Sequence, residues 1–152
     1  MTTFDVNALY EKSKSVAKAA VLRPERGYGL EDVMDERSWD DALASPMIST
    51  VPLNATLSGC VEALREKRVP DTVIAAVSVQ RPVGTLVTDE DLRIARAWLS
   101  DFVAVNVDDD GQENLVMAEA LERGWVGNPE RLSSLILALV LVAIHASAAN
   151  SG

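Results

Sequence analysis

The stretch Asn106-Val107-Asp108-Asp109-Asp110-Gly111 carries the residue types closest to a known chemistry. Counted from Asn106, oxygen-bearing side chains fall at the first, third and fifth positions with glycine at the sixth, as in an EF-hand calcium loop. Asn106, Asp108 and Asp110 are therefore the candidate metal ligands, with calcium the ion they would suit. The pattern then fails. Glu113 stands at the eighth position, where an apolar residue is wanted, and Met117 at the twelfth, where the loop needs its bidentate glutamate. Without that residue two coordinating oxygens are lost, so the segment reads first as an acidic turn that caps the following helix.

His145 is the only histidine and lies inside the apolar run Leu135–Ala146. As a general base it would need a nucleophile and a carboxylate brought to it by folding. No Gly-x-Ser-x-Gly elbow marks such a serine. The expected state is a core or helix-end histidine bonded to a carbonyl, with a hydrolase built on His145 as the lesser alternative. Cys60, the only cysteine, sits on an apolar stripe and reads as a small hydrophobe. It has no second cysteine with which to bind zinc or form an intrachain disulfide. Phosphate-cradling and dinucleotide-binding glycine loops are absent from the sequence. The expectation is a protein that is not an enzyme.

Residues suited to a protein interface occur in the 23–29 loop, where Arg23, Arg26 and Tyr28 are of types enriched at hot spots. Trp125 falls beside apolar periodicity and reads as core like the other two tryptophans. In the short connection 124–128 it is nevertheless the one of the three best placed for partial exposure, and if exposed it would anchor a partner. Asp109 would add acidic complementarity. Trp39 and Trp98 read as core.

The elements that must position these residues are helical. A first helix follows Asp5, with Val6, Leu9, Val16, Ala17 and Ala20 at helical spacing. Short helices are expected at 30–34 and 39–44. The segment 45–53, with its two prolines, reads as an irregular connection. From Asn54, Leu57, Cys60, Val61 and Leu64 form a stripe opposite Glu62, Arg65, Glu66 and Lys67. Asp71 is expected to cap a helix over 72–79. Thr88 with Asp91 is a capping box, followed by Leu92, Ala95, Trp98, Leu99 and Phe102 on one face. A helix over 113–123 closes on Gly124, and Asn128-Pro129-Glu130 opens the last one. Alternation around Arg81-Pro82 and Gly84 leaves a small hairpin over 77–87 open. VEALREKRV (61–69) and AEALERGWV (118–126) share Glu, Ala, Leu and a final Val, as two related helical hairpins or chance would produce.

The run Leu135–Ala146 decides the class of protein. A bilayer-spanning helix needs roughly 20 predominantly apolar residues. Extending the run to 132–149 brings in Ser133, Ser134, His145 and Ser147, and no lysine or arginine follows it to set topology. It reads as the buried centre of an all-α bundle of about six or seven helices, with the 152 residues in a single domain. A net charge of −9 repels phosphate backbones and anionic lipid, which argues against nucleic acid or membrane partners. It fits a basic protein partner, or self-association. No secretory signal opens the chain, so a cytoplasmic protein of bacterial type is expected.

Across 95–141, Ala97-Trp98, Ala118-Glu119, Gly124, and Pro129 ahead of a small and apolar helix carry a family resemblance. The segment resembles a family of small uncharacterised bacterial helical proteins, some encoded near type VI secretion genes. The chain departs from that pattern in lacking a glycine-serine-rich segment and a second proline cluster between its last helices. The resemblance implies an accessory or adaptor role and no catalytic residues. The functional expectation is a non-enzymatic interaction module: an acidic adaptor, immunity or chaperone-like accessory protein. A small-molecule or divalent-metal-binding helical domain is the alternative.

Overall fold

The structure, a computed structural model, describes residues 6–23, 49–81, 83–84, 86–105 and 109–151. Six helices occupy them: α1 (Val6–Leu22), α2 (Val51–Glu66), α3 (Asp71–Ala76), α4 (Asp89–Ala104), α5 (Asp109–Arg123) and α6 (Pro129–Ser151). No strand occurs among the described residues, so the 77–87 hairpin does not form; Gly84 instead sits in a turn at φ +83°. The short helices expected at 30–34 and 39–44, with Trp39, lie outside the described residues.

The apolar C-terminal helix is the centre of the bundle. α6 packs against α1, α2, α3 and α4, and Leu135 to Val140 are buried without interruption. A helix that is apolar all round must be covered all round, and four neighbours do so here. By length and composition α6 could cross a membrane, yet 67% of its most apolar window is buried inside the protein. Its start follows the sequence expectation: the Asn128 side chain accepts from the Arg131 amide at 3.3 Å and Pro129 opens the first turn.

α2 is nearly as deeply enclosed, because α1 lies along it more closely than any other two helices pack. Its start corrects the irregular connection expected to run to Leu53. The helix begins at Val51, with Pro52 buried in the first turn, where the missing N–H breaks no helical bond. A glycine permits the close approach of α1. A methyl group on Gly59 would stand 2.4 Å from the Lys14 carbonyl oxygen. The outer edge of the contact carries ion pairs from Lys14 to Glu62 (2.6 Å) and from Lys18 to Glu66 (3.5 Å).

The caps of α4 match expectation, and Asp91 does more than cap. The Thr88 hydroxyl accepts from the Asp91 amide at 3.1 Å, and the Asp91 carboxylate accepts from the Thr88 amide at 3.0 Å. That carboxylate, almost wholly buried, also receives Arg131 of α6 at 2.9 Å, so one side chain starts α4 and ties it to the core helix. α3 is shorter than expected. It runs from Asp71 to Ala76, with Pro70 rather than Asp71 at the cap position.

The likeness between 61–69 and 118–126 is not a structural repeat. Both helices end on a left-handed residue, Arg68 (φ 56°) and Gly124 (φ 71°), and in both the next amide reaches back into the last turn: Val69 to Leu64 at 3.0 Å, Trp125 to Ala120 at 2.8 Å. These are Schellman closures. The sequence alignment, however, pairs Arg68 with Trp125, not with Gly124. The shared letters therefore do not superpose, and the helices that follow, α3 and α6, differ greatly in length.

Candidate functional site

The acidic segment resolves into the start of a helix. α5 begins at Asp109, four residues before the expected Glu113, so the second half of any calcium loop is helical. Asp109 and Asp110 fall in the first turn of that helix, where the dipole favours acidic residues. Asn106 and Asp108 lie outside the described residues. Among the described residues no group of three or more acidic, histidine or cysteine side chains is placed to hold a metal.

Gln112, the seventh residue of the supposed loop, is buried and turned inward. Its amide donates to Asn54 Oδ1 at 2.7 Å and to Ser58 Oγ at 2.6 Å, with the Asn54 carbonyl at 3.3 Å. The Tyr10 and Ser58 hydroxyls share a further bond at 2.8 Å. One polar side chain thereby fixes the start of α5 on α2, and through Ser58 on α1. No sequence signal marked this residue, since a glutamine beside three aspartates reads as solvated.

The far end of α5 is held by aromatic and ionic contacts, and here the anchor role expected of Trp125 is corrected. Trp125 is buried, at 7% exposure. Its ring meets Trp98 edge-on with centroids 6.0 Å apart, and the Arg123 guanidinium lies 5.6 Å from its centroid. The Schellman turn at Gly124 folds the chain back and swings the indole inward, so it cannot serve as an exposed anchor. Arg123 also pairs with Glu119 at 2.8 Å and with Glu90 of α4 at 3.5 Å. Arg23 is exposed just after α1, whereas Arg26 and Tyr28 lie outside the described residues. Of the five residues expected at an interface, the structure therefore removes Trp125 and leaves Arg23 exposed.

His145 is exposed rather than in the core. Its Nδ1 lies 2.8 Å from the Leu141 carbonyl one turn back, and no carboxylate among the described residues pairs with it. Cys60 is fully buried, and burial pushes its thiol well above the usual range, which removes the thiolate that cysteine chemistry requires.

What the fold does build is a groove. α5 is fixed to α2 at one end and to α4 at the other, and between those points it stands off α4. The cleft encloses about 260 Å³ and is walled by Trp98, Phe102 and Val105 on one side and by Leu115 and Val116 on the other. Asp101 and Glu119 stand in the same lining. Val105 and Leu115, on opposite walls, remain 58% and 54% exposed. Two large apolar side chains left in water across an apolar cleft form a patch that polar neighbours do not cover. Arg65 secures the wall from behind, donating to the Phe102 carbonyl at 2.7 Å and closing the end of α4.

Comparison with protein families, with curated proteins and with solved structures returns no match.

Proposed function

We propose that the protein is a non-enzymatic interaction module, an acidic adaptor or accessory protein, that docks a partner protein in the α4–α5 groove. The observation that carries this reading is the apolar cleft between Val105 and Leu115 with two carboxylates in its lining. Its volume favours a side chain over a free ligand. About 260 Å³ is below the roughly 300–1,000 Å³ of typical small-molecule pockets, but suits one bulky apolar anchor of the kind that dominates protein interfaces. Charge sets the rest of the partner. Asp101 has no ion-pair partner among the described residues, Glu119 is only partly offset by Arg123, and the chain carries −9. The matching occupant is a segment with an apolar anchor flanked by lysine or arginine. Complementarity of that sign speeds encounter and excludes acidic competitors.

A photo-crosslinking residue placed at Leu115 in the source cell tests this. Leu121 is 64% exposed but lies off the groove, and serves as the control position. The expected result is a discrete adduct at Leu115, weakened by Asp101→Lys and absent at Leu121. Adducts at neither position, or only at Leu121, overturn the proposal.

A further inference from the structure

A second concavity, separate from the groove, lies where the end of α3 faces the start of α4. It is an open depression of about 420 Å³, and Ala75, Ala76, Ser78, Asp89 and Arg96 contribute to its chiefly polar walls. Arg96 is half-buried, and no carboxylate among the described residues pairs with it. That is unusual in a chain with 23 acidic residues against 14 basic ones. Other arginines nearby behave otherwise: Arg93 on α4 is bonded to Glu90, and Arg81, ahead of the helix, approaches Asp89 at 3.4 Å. A guanidinium partly withdrawn from water without a counter-ion is unfavourable, and its planar fork fits a carboxylate through two parallel bonds.

Ala75 and Ala76, in the same lining, close α3, and the last carbonyls of any helix lack intrahelical partners. The Asp89 carboxylate is an acceptor as well. A ligand suited to this lining presents one carboxylate to Arg96 and hydrogen-bond donors to the carbonyls and Asp89. The volume has room for a small polar ligand that keeps one side in water. A phosphate dianion fits less well, because Asp89 and the net charge of the chain oppose a second negative charge.

We propose that this basin binds a small α-hydroxy or α-amino monocarboxylate, its carboxylate on Arg96 and its hydroxyl or ammonium donors on Asp89 and the carbonyls that end α3. The site does not depend on the groove: Asp101→Lys leaves it intact, and Arg96→Gln leaves partner capture at Leu115 intact. The test is titration of the ¹⁵N-labelled protein with L-lactate, L-serine, propionate and inorganic phosphate. Lactate and serine are expected to shift the Ser78, Val79 and Arg96 amides saturably, with propionate weaker because it lacks the donor. Arg96→Gln should weaken both by at least about tenfold, and Arg96→Lys by less, since it keeps the charge and loses the fork. Each variant's own spectrum, unchanged from the wild type away from the basin, reports that it is folded. No saturable shift with lactate or serine, or unchanged binding to Arg96→Gln, overturns the site. Phosphate binding more tightly than lactate overturns the ligand class, and propionate matching lactate overturns the role of the acceptors at Asp89 and the end of α3.

Discussion

Replacing Gly59 with alanine sets two physical effects against each other, and the structure decides between them. Gly59 lies in the interior of α2, where alanine is intrinsically better by about 1 kcal/mol. On propensity alone the variant would be more stable. The added Cβ, however, would meet the Lys14 carbonyl oxygen at 2.4 Å, the Lys18 amide nitrogen at 3.1 Å and the Ala17 Cβ at 3.2 Å. Ordinary contact begins near 3.4 Å, so α1 must retreat by about 1 Å, and the first obstacle is backbone that cannot rotate aside. Retreat loosens Ala17, Ala20 and Val21, all fully buried, and stretches the Tyr10–Ser58 bond. Overpacking of this kind costs typically about 1–3 kcal/mol. With backbone as the obstacle the cost lies at the upper end of that range, about 2–3 kcal/mol. Against a propensity gain of about 1 kcal/mol, a net loss of about 1–2 kcal/mol follows, or a Tm lower by about 2–8 °C for a chain of this size. Thermal and urea unfolding followed by circular dichroism would measure it. A variant as stable as the wild type, or more so, would refute the close packing of α1 on α2.

Gln112→Ala should destabilise the protein by about 1–3 kcal/mol, because Asn54 and Ser58 lose their shared donor in a buried site. Hydrogen exchange should localise the change to α5, and a uniform effect across all helices would contradict its role as the link to α2. Cys60 should resist iodoacetamide at pH 8 in the folded protein, since burial both blocks access and holds the thiol protonated. Its labelling rate should rise only through the urea transition; fast labelling of the native state would show that the α2 face is open. Asp91→Ala should cost about 2–4 kcal/mol, more than an ordinary cap, because it also strips a partly buried Arg131 of its partner. A double variant with Arg131→Met should recover part of that loss. If the two losses simply add, Asp91 and Arg131 do not act as a pair.

Local punctuation made most of this fold legible. Thr88 with Asp91, Asn128 before Pro129, and Gly124 each act within a few residues, so their sequence spacing is their geometry. The length and composition of 135–146 likewise imposed a buried centre. Expectations failed where a residue's meaning depends on distant neighbours. Pro52 reads as a breaker until one knows that it occupies a first turn. Asp109 to Gln112 read as part of an interhelical turn until the helix is seen to begin at Asp109. The burial of Trp125 depends on Trp98 across the interhelical turn, which periodicity cannot report. The groove was the least legible feature, because it arises from the standoff between α4 and α5. Its one local trace is Leu115 beside Val116, an apolar pair of which a single helix face can bury only one.

α6 is the buried centre of the bundle, packed against α1, α2, α3 and α4. Hydrogen exchange on detergent-free protein measures this most directly. The amides of residues 135–143 should be the slowest in the chain and should exchange only through global unfolding. Exchange there as fast as in α5, or protection gained only on adding lipid vesicles, would contradict it.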